Sequence, residues 1–205
     1  MRKSILAICA ALLMCTSGVV FAATGVRALF YAPDAEVSAP LVATPQPSSQ
    51  AEYNPQKSLP FRLRIPSIGV DAKVQHVGVN DKGNMANPNN FTDVAWYKHG
   101  PIPGASGSAV IAGHLDNGLG LPAVFKKLEE VQVGDDIFVE AEDGSTLRFV
   151  VTSSRTYPYT EVPTAVVFNP SGSVRLNLIT CAGTWLKDKK TYNERLVVFA
   201  KPAEE

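Results

Sequence analysis

The sequence predicts a mainly β domain, a barrel or a sandwich, and three observations carry that expectation. From Leu59 onward, short apolar runs alternate with turn residues. The chain of 205 residues holds 15 prolines and 15 glycines, which break it into short elements. One stretch alone, LPAVFKKLEEV from Leu121, has helical spacing, with Pro122 near its start and Val124, Phe125 and Leu128 on one face.

The elements follow in order. FRLRIPSIGVDAKVQHVGV, from Phe61, divides at Pro66 and Gly69 into two or three strand segments. DKGNM, from Asp81, is a tight turn. SAVIAGH, ending at His114, is a compact apolar run suited to a buried strand. Leu121 to Val131 is expected as one short helix. DIFVEAEDGSTLRFVVTSS, from Asp136, is a hairpin about Asp143-Gly144. SVRLNLITC and RLVVFAK close the domain as two further strands, joined by the polar stretch AGTWLKDKKTYNE.

Ahead of this domain lie two other regions. Arg2 and Lys3 precede an apolar stretch from Ser4 to Val26, closed by Arg27. About twenty such residues can cross a bilayer, with the cationic start left in the cytoplasm. Residues 1–27 are therefore expected to be a membrane anchor or a signal peptide, the small-residue site Val20-Phe21-Ala22 being the argument for cleavage. The apolar run exceeds a usual signal core, which favours the anchor. Residues 28–57, rich in proline, serine, alanine and glutamine, form a linker. Residues 58–205 form the folded domain, roughly 150 residues and enough for one core. With 19 basic and 19 acidic side chains the net charge is zero, which argues against nucleic acid as a partner.

The chain has three cysteines, and Cys9 and Cys15 fall in the leader. Exported, Cys181 has no partner in its own domain. It is then either a buried small hydrophobe or a reactive thiol. Alternation puts Val174, Leu176 and Leu178 on the core face of their strand, and Arg175, Asn177 and Cys181 on the more polar face at its carboxyl end. A reactive thiol needs a base and an oxyanion donor. Of His76, His99 and His114, the first two sit beside turn residues and suit packing or surface roles. His114 ends a buried run just as the chain turns into LDNG, which makes it the better placed of the three to face a cleft. Arg195 begins the final strand, and an antiparallel return would bring its planar fork beside Cys181. One cysteine and three widely spaced histidines show no zinc spacing.

His114 in AVIAGH, Cys181 in LNLITC and Arg195 in NERLVVFA, in that order, resemble a sortase, the cysteine transpeptidase of Gram-positive-type cell surfaces. RIPSIGVDAKV, WYKHGPIPGASGSAVIAGH and VFKKLEEVQVGDDIFV resemble family segments, and the similarity runs from about Leu59 to Ala200. The resemblance implies an eight-stranded barrel with one or two short helices. It implies Cys181 as nucleophile, His114 as proton-transfer partner and Arg195 as oxyanion or substrate-positioning residue. It implies cleavage of a Leu-Pro-x-Thr-Gly-type sorting signal between Thr and Gly through a thioester. The partners implied are surface proteins carrying that signal and an amine acceptor, a peptidoglycan precursor or a pilin lysine. The Thr-Leu-x-Thr-Cys segment of the family stands here as Asn177-Leu178-Ile179-Thr180-Cys181, so Asn177 and Thr180 are expected to touch substrate. The segment from Tyr157 to Ser171 is expected to wall the substrate groove, with Val162, Val166 and Val167 as apolar contacts. Its one carboxylate, Glu161, does not suggest a calcium site, and no cofactor or metal is expected. The chain carries no Asp-Pro-aromatic lid segment before the domain, and its pattern looks closer to classes D, E or F than to pilin polymerases. Other cell-wall enzymes fit less well. L,D-transpeptidases commonly have a Gly-Cys-Arg-like neighbourhood, whereas Ala182-Gly183 follows the cysteine here. The non-enzymatic alternative is an exported β-domain that binds wall or protein ligands, with an incidental cysteine.

Overall fold

The computed structural model describes residues 58–204. The anchor or signal segment 1–27 and the linker 28–57, with Cys9 and Cys15, lie outside the described residues. Eight strands form the domain: β1 (Pro60–Ile65), β2 (Val70–Val77), β3 (Val94–Tyr97), β4 (Ser108–Ala112), β5 (Asp136–Ala141), β6 (Thr146–Pro158), β7 (Arg175–Leu186) and β8 (Thr191–Pro202). They close into a barrel in the order β1-β2-β3-β4-β7-β8-β6-β5, with β1 pairing back onto β5. The fold is a barrel and not a sandwich. Two of its joints are parallel, β2 with β3 and β4 with β7, and the rest are antiparallel.

The interior is filled by one face of each strand, including Leu63, Ile65, Val139, Phe149, Leu176, Leu178 and Val198. On the outside, Val110, Val197 and Val167 form a second buried cluster, with Ile179, Val162, Phe168 and Phe199 packed against it. Val167 belongs to the short helix α1 (Thr164–Val167) in the β6–β7 connection. That connection covers the outer faces of β4, β7 and β8. Both faces of β7 are therefore buried over Leu176, Asn177 and Leu178, which hides the alternation of an ordinary half-exposed strand.

Several local expectations hold. β1 stops before Pro66, and Gly69 at φ 69 ends the intervening 3-10 turn. The hairpin of β5 and β6 turns with Gly144 at φ 83, its N–H bonded to the Ala141 carbonyl. Asp81 to Met85 is a turn, its flanks bridged by Val79 and Met85. β3 was not anticipated, because four residues are too few to establish a period.

Two expectations are corrected. Leu121 to Val131 is a run of turns ending in a 3-10 helix, Leu128–Glu130, and not an α-helix. The Phe125 N–H donates to the His114 carbonyl, while the Leu121 carbonyl accepts from Asn117. Both groups of the first helical hydrogen bond are thus taken by tertiary partners. The polar stretch after Cys181 is mostly strand, since β7 continues to Leu186 and β8 already begins at Thr191. Cys181 and Arg195 consequently lie inside their strands and not at the ends.

Candidate active site

The parallel joint between β4 and β7 brings His114 toward Cys181. Ile111 pairs with Leu178 and Ala112 with Ile179. One residue on, the Gly113 N–H donates to the Ile179 carbonyl at 3.1 Å, and Thr180 Oγ1 donates to the Gly113 carbonyl at 2.8 Å. The same register continued by one step sets His114 level with Cys181. Gly113 must lack a side chain, because a Cβ there would lie 2.5 Å from the Phe125 ring. His114 Nε2 lies 3.1 Å from the Pro88 carbonyl oxygen, and the ring tilts against Phe91 with centroids 5.1 Å apart. A carbonyl only accepts, so Nε2 carries the hydrogen and Nδ1 is the nitrogen left for exchange with a thiol.

The antiparallel β7–β8 pair places Arg195 directly opposite Cys181, and Tyr157 of β6 opposite Arg195 on its other side. Just beyond, the ladder is bulged between Ala182 and Trp185, with Gly183 at φ 77. A side chain at Gly183 would run into Asn193 and Glu194. The guanidinium is held by its own strand: Nη1 donates to the carbonyls of Tyr192 (3.0 Å) and Glu194 (2.7 Å), and Nη2 to Thr191 Oγ1 (2.8 Å). Two of its five N–H donors, on Nε and Nη2, remain for a substrate.

Cys181 is half-buried and a free thiol. Burial pushes the thiol above its ordinary value, the Arg195 charge pulls it down, and the Asp116 carboxylate adds to the rise. Asp116, two residues after His114, accepts a hydrogen bond from the Tyr192 hydroxyl. Tyr192 is pushed up to about 12, first by that bond and then by burial, so it stays a donor.

The expected substrate contacts divide. Asn177 is 0% exposed, and its Nδ2 donates to the Val167 carbonyl at 2.7 Å, while its Oδ1 is buried with no partner. Thr180 is 3% exposed and committed to Gly113, and Val167 is 0% exposed. These three support the site from behind and offer no surface to a peptide, which corrects their assignment as substrate contacts. Val162 is half-buried against the outer cluster, and Val166 is 47% exposed. Val166 opens into a groove of about 600 Å³ shared with Arg155, Tyr157, Pro163, Arg175 and Phe199, which does not include Cys181. His76 is bonded through Nε2 to the Pro60 carbonyl and stacked edge-on against Trp96, while His99 is exposed beside Tyr97. Sequence reasoning missed Asp116 and Tyr192. LDNG reads as a turn, and nothing local ties Tyr192 to it. Among the described residues no group of three potential metal ligands gathers, and no helix is long and apolar enough to cross a membrane.

The sortase-domain family model matches residues 63–203. The chain belongs to the sortase family. Sortases are cysteine transpeptidases, and the barrel agrees with their solved structures. Sortase C-1 from Actinomyces oris (formerly Actinomyces naeslundii) is 23% identical over 70% of this chain and 73% of that chain, with a TM-score of 0.55. Sortase A from Listeria monocytogenes is 19% identical over 71% of this chain and 88% of that chain, TM-score 0.52. A lid mutant of sortase A from Corynebacterium diphtheriae is 21% identical over 74% and 75% of the two chains, TM-score 0.55. At these identities the likeness to other sortases concerns the fold. The comparison with curated proteins gives no match.

Proposed function

We propose that this sortase cleaves a Leu-Pro-x-Thr-Gly-type sorting signal between Thr and Gly and joins the Thr carbonyl to an amine of the cell wall or of another surface protein. The observation that carries the reading is the register that sets Arg195 opposite Cys181, with the His114 segment bonded alongside the same strand. The Cys181 thiolate attacks the Thr carbonyl carbon, and the free donors of Arg195 hold the oxyanion. As the C–N bond breaks, the His114 imidazolium protonates the leaving amine, and a thioester remains on Sγ. An acceptor amine then attacks the thioester, and sulfur leaves as thiolate. Val166 and Val162 are the wall residues with surface or partial surface to meet the signal's apolar side chains.

Residues 1–27 as a single-pass membrane anchor, 28–57 as a linker and 58–205 as an extracellular catalytic domain complete the reading, supported by the apolar leader with its cationic start. On class, the segment pattern favours D, E or F. The test is intact mass of the protein with a sorting peptide. An acyl adduct on Cys181 that Cys181→Ala lacks is the expected result. Cleavage by Cys181→Ala at the wild-type rate would exclude the covalent route, whereas alkylation of Cys181 that leaves function untouched would favour a wall-binding β-domain.

A further inference from the structure

Asp116 is a charged group at the site to which the proposed steps give no task. Asp116 lies two residues past His114, where an isolated bridge to Pro122 folds the loop back. One carboxylate oxygen, Oδ2, accepts from the Tyr192 hydroxyl. No hydrogen bond to Oδ1 and no ion pair to Asp116 is formed among the described residues. Tyr192 is itself fixed from both sides, its ring edge-on to Trp185 at 5.3 Å and its carbonyl bonded to Arg195. Asp116 is thus a half-exposed, rigidly held anion, tied through Tyr192 to the residue opposite the thiol.

Such a charge works against the first half of the reaction. A carboxylate whose field reaches the sulfur disfavours the thiolate, and this one does so. Arg195 spends its bonds on carbonyls and a hydroxyl and not on Asp116. The second half of the reaction has a natural use for an unpaired anion there, because the resolving nucleophile arrives as an ammonium.

We propose that Asp116, held by Tyr192, is the docking group for the ammonium of the incoming acceptor. This rests on the transpeptidase reading. The carboxylate receives the ammonium through its free oxygen and sets the nitrogen beside the thioester on Cys181. One proton leaves the ammonium to water, as it must before any amine can attack. The nitrogen lone pair then forms the C–N bond while the C–S bond breaks. The second proton passes from nitrogen to the His114 imidazole, and sulfur departs as thiolate beside the imidazolium. The acceptor class is a primary amine that is cationic at neutral pH, with no carboxylate next to the nitrogen to repel Asp116.

The test compares two nucleophiles on the full-length protein acylated by a Leu-Pro-x-Thr-Gly peptide: triglycine amide, whose terminal amine is cationic, and hydroxylamine, which is uncharged at neutral pH. The readout is the ratio of kcat/KM for triglycine amide to that for hydroxylamine. Asp116→Asn is expected to lower this ratio about tenfold or more, the weight of a charge-assisted hydrogen bond. Asp116→Glu is expected to hold it within about threefold, and Tyr192→Phe to fall between. A ratio unchanged in Asp116→Asn, or lowered equally in Asp116→Asn and Asp116→Glu, overturns the proposal. Absence of any acyl adduct in the unsubstituted protein is a different failure, that of the transpeptidase reading, and takes the proposal with it.

Discussion

At the scale of the residue, the thiol is governed by its burial first and then by two charges of opposite effect. Burial raises Cys181, Arg195 lowers it and Asp116 raises it, so the thiol is the major form at neutral pH. Under the proposed mechanism, activity is expected to depend on a minor population of thiolate and to follow a bell-shaped pH profile. The alkaline limb belongs to the thiol, so a raised thiol moves that limb to higher pH than an ordinary cysteine would give. Asp116→Asn removes a raising influence and is expected to shift the limb toward neutral. Arg195→Gln removes a lowering one and is expected to shift it further alkaline. Alkylation of Cys181 followed by mass against pH reads both shifts, and limbs moving in the same direction would contradict the assignment. Thr180→Val keeps shape but strips the buried Gly113 carbonyl of its donor, for an expected loss of about 1–3 kcal/mol in denaturant unfolding. The meeting of Cys181 with Arg195 and the His114 segment was legible in the sequence, from the antiparallel return of the final strand and from the resemblance of these segments to sortases. Asp116 and Tyr192 were not legible, because their meaning lies in a contact between segments 76 residues apart.

Elements decide how firmly those residues are held. Gly113 joins β4 to the His114 loop with the Phe125 ring against its Cα. Gly113→Ala is expected to cost about 1–3 kcal/mol and to displace the histidine with it, seen as lost stability and lost turnover together. The wall behaves differently. Asn177 pins α1 from inside β7, so Asn177→Ala leaves the Val167 carbonyl unpaired in the interior. That change is expected to cost about 1–3 kcal/mol and to raise KM for the sorting peptide more than it lowers kcat, because the wall moves and the thiol does not. A wall with unchanged KM would show that the connection is not a substrate surface. Strand order explains what could be read here. Runs such as SAVIAGH announce a buried strand whatever covers them. Asn177 was expected to touch substrate because it opens the segment that resembles the family's Thr-Leu-x-Thr-Cys, on the more polar face of its strand. Its outward face is roofed by the β6–β7 connection, and no local pattern reports a roof. The helix expected at Leu121 failed for the same kind of reason, since its donors were claimed by the His114 loop.

At the scale of the whole molecule, the family match of residues 63–203 and the described barrel agree on one folded unit. Limited proteolysis is expected to remove residues before about Lys57 and then stop, whereas cuts spread through the barrel would deny the proposed boundary. The ring closes through contacts between distant segments, β1 with β5 and β4 with β7, so folding is expected to be slow for a domain of this size. The same joint has a consequence for timing. His114 and Cys181 reside on β4 and β7, neighbours in the ring but far apart in the chain, and Arg195 arrives with β8, the last strand to be synthesised. A nascent chain emerging amino-terminus first carries His114 without Cys181, then Cys181 without its opposing cation. Under the proposed mechanism, the order of synthesis leaves the nucleophile disarmed until the final strand seals the ring.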